Sequence, residues 1–130
     1  MLFQEIYNAA LRLICETEDD PIPDYDDRVP NLLGNFLVEQ IPLQKKIDRA
    51  NGSEPIEYPD DLFVDLGSDF PLSEEFIPAA VYYLAAMLVL DENEEISDRL
   101  FDRYIDSIAS IAMSLPASSH PIKDCYNCLI

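Results

Sequence analysis

The residues with the clearest chemical potential are Cys125 and Cys128, a C-x-x-C pair, together with the single His120 and the distant Cys15. A structural zinc site needs four ligands, and this pair supplies two; a closed site would have to recruit His120 and Cys15 from far apart in the chain. A redox pair works at a helix N-terminus, where the thiol pKa is depressed, whereas this one lies in a poor helix former. Free thiols are therefore the expectation. Paired carboxylates occur at Asp19/Asp20, Asp26/Asp27 and Asp60/Asp61, but none has the glycine-hinged spacing of an EF-hand loop. With one histidine, no nucleophile motif and no glycine-rich phosphate loop, the pattern points away from an enzyme and implies no cofactor.

Across all 130 residues, 26 acidic against 8 basic side chains give a formal charge of -18, with 48% hydrophobic content. That length suits one domain with a real core. The charge repels phosphate backbones and anionic membrane surfaces, so the expected partner is a basic or polar protein surface. Phe76 to Leu90 is the longest apolar run, and as a helix it would rise about 22 Å, short of the roughly 30 Å of a hydrocarbon core. It reads as a buried helix. Met1-Leu2-Phe3-Gln4-Glu5 has neither a basic n-region nor a small-residue cleavage site, and a cytosolic location is expected.

The elements follow from periodicity. Over 2–16, Leu2, Phe3, Ile6, Tyr7, Ala10, Leu11, Leu13 and Ile14 recur at helical spacing. The stretch from Glu16 to Asp27 holds seven carboxylates and no basic residue, with Pro21 and Pro23 opposing helix. A second helix is expected to open near Pro30, burying Leu32, Leu33, Phe36, Leu37 and Ile41; Pro42 should kink or split it, leaving 43–50 as a shorter piece that stops at Asn51-Gly52. Gly34 costs that helix about 1 kcal/mol relative to Ala and suggests close approach of another backbone.

Residues 53–71 read as an ordered loop or small hairpin whose apolar side chains cap the core while Asp60, Asp61, Asp65 and Asp69 face water. The third helix runs over about 74–90, starting either after Ser73 or nearer Ile77 with Pro78 in its first turn. From Ala79 to Leu90 every residue is apolar or tyrosine, the mark of a helix surrounded by others. Tyr82 and Tyr83 point about 100° apart, so at most one enters the same core and the other suits a subunit contact. Asn93 caps a fourth helix that buries Ile96, Leu100, Phe101, Tyr104, Ile105, Ile108, Ile111, Ala112 and Leu115, with Glu95–Arg99 and Arg103–Asp106 pairs outside. The expectation is all-α: a bundle of about four helices over 1–115, with a kinked second helix and an ordered loop or small hairpin before the central helix. Residues 116–130 are expected to form an extended C-terminal tail.

An opening amphipathic helix, a Pro-Asp loop before Phe70-Pro71-Leu72, then Phe76-Ile77-Pro78-Ala79-Ala80-Val81-Tyr82-Tyr83-Leu84-Ala85-Ala86, an acidic turn, and Arg99, Phe101, Arg103 and Tyr104 follow in order. This succession resembles the head-to-tail connector proteins of tailed bacteriophages, the head-completion or adaptor subunits that dock on the portal ring. The resemblance implies a non-enzymatic helical bundle assembling with itself as a ring of about a dozen copies. Such a ring would bridge portal and tail-side connector proteins, in the virion and, before assembly, in the host bacterial cytoplasm. Neither sequence-specific nucleic-acid binding nor membrane association is implied. Tyr58, Phe63, Tyr82 and Tyr126 are the candidate partner contacts. The alternative is an acidic DNA mimic that occupies the basic groove of a nucleic-acid-binding protein. It would need a continuous carboxylate stripe, and here the carboxylates cluster in loops.

Overall fold

The computed structural model describes residues 1–14 and 23–115. Four helices make an all-α bundle: α1 (Phe3–Leu13), α2 (Pro23–Ala50), α3 (Ile77–Val89) and α4 (Glu94–Met113). A single 3-10 turn, Glu74–Phe76, leads into α3. Both starts envisaged for the third helix are thus used in succession, the tighter turn after Ser73 and the α-helix at Ile77 with Pro78 in its first turn.

α3 packs against α1, α2 and α4. Its Ala79, Ala80, Leu84, Ala85, Ala86 and Leu88 are almost fully excluded from solvent, as an apolar circumference requires. Small side chains let the neighbouring helices approach closely, and larger rings fill the space between them. Phe36 of α2 is the hub: its ring centroid lies 5.7 Å from Tyr83 and 6.1 Å from Tyr104, and 6.3 Å from Phe70, which in turn meets Phe3 edge-on at 5.8 Å. One chain of rings therefore ties all four helices to the loop before α3.

The end of α3 is closed by its neighbours. Ser97 Oγ donates to the Ala86 carbonyl at 2.8 Å and the Arg28 guanidinium donates to the Met87 carbonyl at 3.0 Å. The Val89 carbonyl accepts from the Glu92 and Asn93 amides. A helix terminus leaves four carbonyls without intrahelical partners, and here side chains from α2 and α4 meet that need. Asn93 caps α4 as expected, its side chain accepting from the Ile96 amide at 3.1 Å.

α2 departs from expectation. It opens at Pro23, not Pro30, and stays helical through both Pro30 and Pro42 to Ala50, so 43–50 is no separate piece. The reason lies in one unbroken buried face, Tyr25, Val29, Leu32, Leu33, Phe36, Leu37, Gln40, Gln44 and Ile47, that continues on both sides of Pro42. Packing along that face outweighs the roughly 3 kcal/mol that an interior proline costs. The stop at Asn51-Gly52 holds: Gly52 has φ +76°, and the Ser53 amide returns to the Asp48 carbonyl at 2.9 Å.

α4 buries a narrower face than its pattern suggests. Ser97, Leu100, Tyr104 and Ile111 are buried, but Ile96, Phe101, Ile105 and Ala112 are exposed. The Glu95–Arg99 pair forms at 2.7 Å, whereas Arg103 lies over the Tyr82 ring, 5.9 Å from its centroid, rather than on Asp106.

Burial raises four tyrosine pKa values. Tyr104 rises to about 12 through desolvation and the nearby Glu39 carboxylate. Tyr58 rises to about 12 through desolvation and its bond to Asp48. Desolvation raises Tyr83, and Tyr7 rises through burial and the 2.6 Å bond it donates to Asp26. A hydroxyl whose folded pKa exceeds its unfolded value contributes stability that is complete below the unfolded pKa, near 10, and is lost as pH climbs through the folded one. Denaturant melts should therefore be flat up to about pH 9.5 and weaken steadily from there to pH 12. Stability that held constant across that range would contradict the buried hydroxyl network.

Candidate functional site

Among the described residues no group of three or more His, Cys, Asp or Glu is placed to hold a metal. No helix among them is long and apolar enough to cross a membrane. Cys15, His120, Cys125 and Cys128 lie outside the described residues, as do the expected tail and Tyr126.

The distinctive surface is the loop joining α2 to α3, which contains no strand pair and so is the ordered loop rather than a hairpin. Its one bridge joins Asp69 to Leu2. Its backbone is pinned from Leu62 to Ser73. Asn31 Nδ2 donates to the Leu62 carbonyl at 3.0 Å, and the Val64 amide to the Pro30 carbonyl at 3.2 Å. Gly34 permits this approach, since a Cβ there would sit 2.2 Å from the Leu62 carbonyl oxygen. Further along, Asp65 forms a tight turn, accepting from the Gly67 amide on Oδ1 and from the Ser68 amide and hydroxyl on its carbonyl.

The same loop completes the start of α1. The Phe3 and Gln4 amides, unpaired within the helix, donate to the Ser68 and Leu66 carbonyls at 3.1 and 3.0 Å, and the Phe70 amide donates to Met1 at 2.7 Å. Glu5 reaches back to accept from the Leu2 amide. At the other end, the Tyr58 hydroxyl bonds to Asp48 of α2, while Gln44 accepts from the Ser73 amide and donates to Asp48.

On this fixed frame the Phe63 side chain stands 71% exposed beside exposed Leu62, and Asp60, Asp61, Asp65 and Asp69 all face water. An aromatic ring held out of the core by backbone pinned on both sides is an apolar knob in a field of carboxylates. Such a knob suits an apolar pocket with a basic rim on another protein.

Compared with family models, curated proteins and solved structures, the chain matches none.

The candidate contacts fall on separate surfaces. Phe63 projects from the loop; Tyr58, half-buried, is engaged with Asp48; Tyr82, half-buried on α3 under Arg103, lines an open groove of about 510 Å³ with Ala9, Leu13, Ile77, Pro78 and Val81. Tyr83, its neighbour, is buried at 7% exposure, so one of the two tyrosines enters the core and the other borders a surface. Leu13, expected on the buried face of α1, and the apolar flank of α4 both lie outside the core. On α4 the signal was an apolar arc wider than one neighbouring helix covers.

Proposed function

We propose that this chain is a non-enzymatic structural subunit of a tailed bacteriophage or prophage, a head-to-tail connector that docks on the portal ring and bridges head to tail. The observation that carries the docking role is Phe63, exposed on a loop whose backbone is tied to both α1 and α2. A pre-organised aromatic anchor loses little conformational freedom on binding, which is what an assembly contact needs. The ordered succession of helices and loop that resembles the connector proteins supplies the setting, with partners being other copies of the chain, the portal and tail-side connector proteins. The high negative charge suits a channel through which DNA passes without adhering.

The acidic-decoy reading draws on a row of exposed carboxylates on α4, Asp98, Asp102 and Asp106. Arg99 and Arg103 lie on the same helix, and Arg99 already pairs with Glu95. Three carboxylates flanked on the next face by cations are a poor copy of a phosphate backbone.

The test compares capture of the portal subunit from particle-producing cells by immobilised wild-type chain and by Phe63→Asp. Loss of a central aromatic anchor should weaken capture by about tenfold or more with the helical content unchanged. Equal capture by both would remove Phe63 from the contact. Capture of a basic nucleic-acid-binding enzyme in place of the portal would favour the decoy.

A further inference from the structure

Two apolar surfaces lie on opposite flanks of α4. On one, Phe101, Ile105 and Ala112 are exposed and Ile108 is half-buried, a stripe at spacings of four, three and four, bordered by the exposed Asp98 and Asp102. On the other, Arg103 covers Tyr82, whose ring lines the groove with Ala9, Leu13, Ile77, Pro78 and Val81. Arg12 also lines that groove, so two of the chain's eight basic residues stand at its rim. Successive helical residues turn by about 100°, which sets Arg103 and Ile105 roughly 200° apart. A chain cannot lay the stripe of its own α4 into its own groove.

We infer that copies of this chain associate head to tail, the apolar, aspartate-edged flank of α4 in one copy seating in the arginine-rimmed groove between α1 and α3 of the next. It rests on the connector reading only for the expectation that copies meet; the surfaces come from packing and charge. Apolar area matches apolar area, and Asp98 and Asp102 bring the sign that Arg103, exposed at the edge of the groove, attracts. Because the two patches differ, the contact is heterologous and propagates around a ring, or along a filament where the rotation does not close. Each copy carries -18, so long-range repulsion opposes the contact at low salt, and association tightens as salt screens it.

The experiment uses full-length chains in which Cys15, Cys125 and Cys128 are serine, one carrying Leu13→Cys and the other Ile105→Cys, both at exposed positions. Pro78→Cys, also exposed, gives a second groove position. Circular dichroism checks that each is folded, and sedimentation follows the wild-type chain from low to moderate salt. The expected result is a disulfide-linked dimer in the mixture of groove and stripe variants, absent from either alone, with sedimentation shifting to larger species as salt rises. Ile105→Cys linking to itself would replace the contact with a symmetric α4 pair. A wild-type chain that stays monomeric at every salt, or oligomers without the mixed cross-link, would also overturn it. Particle content separates the two ideas: a chain present in particles without the cross-link keeps the connector and loses these surfaces, whereas the cross-link in a chain absent from particles does the reverse.

Discussion

Ala86→Glu abolishes cooperative folding. Ala86 is 1% exposed in the middle of α3, and its carbonyl already accepts the Ser97 hydroxyl. The Arg28 guanidinium that reaches the next residue is already bonded to the Met87 carbonyl and to Asp24, so a carboxylate at 86 is left uncompensated, and an uncompensated buried charge costs about 3–5 kcal/mol. Forcing the larger side chain between helices that meet at alanine adds about 1–3 kcal/mol of overpacking. Together these approach the whole stability of a small domain, about 5–15 kcal/mol. The variant should show weak helical circular dichroism and no thermal transition, while Ile105→Glu, at an exposed apolar position of α4, keeps both. A soluble, fully helical Ala86→Glu chain with a sharp melt would mean that α3 is not the element the other helices surround.

The second large effect is expected at Gly34. Alanine ordinarily improves a helix interior by about 1 kcal/mol over glycine, so propensity alone predicts stabilisation. Here the added Cβ would meet backbone, 2.2 Å from the Leu62 carbonyl oxygen and 2.3 Å from its carbonyl carbon, and backbone cannot swing aside as a flexible side chain can. The loop must lift, breaking the Asn31–Leu62 and Val64–Pro30 bonds. We expect a net loss of about 2 kcal/mol by denaturant melt, faster proteolysis between residues 53 and 66, and portal capture reduced as for Phe63→Asp. Partner binding would then fall although Gly34 itself is buried, because Phe63 has lost its frame. A Gly34→Ala chain more stable than wild type, with a protected loop, would contradict this close approach.

These two residues also mark what the sequence makes legible. α3 could be recognised because a helix apolar all round has one physical explanation, and Gly34 because glycine inside a helix is costly unless something needs the space. Asn93 and Asn51-Gly52 are local signals, and local signals survive into the fold. The start of α2 was hidden since prolines and carboxylates before Pro30 read as a loop, while the burial of Tyr25 and Val29 that offsets them depends on helices distant in sequence. On α4 the pattern reveals an amphipathic helix without saying how wide a face the chain itself covers. Phe101 and Ile105 were therefore expected inside and lie outside. At the site, the apolar side chains of the 53–71 loop were expected to cap the core, yet Ile56, Leu62 and Phe63 are exposed, because the bonds that pin the loop join residues some thirty positions apart and leave no local trace.

A chain built into virions would be found in purified particles, and quantitative mass spectrometry gives its abundance there relative to the portal subunit. A ratio near one is predicted, as a ring docked on the portal requires. Absence from particles, alongside ample chain in the producing cells, would contradict the connector and leave the acidic decoy as the reading to pursue.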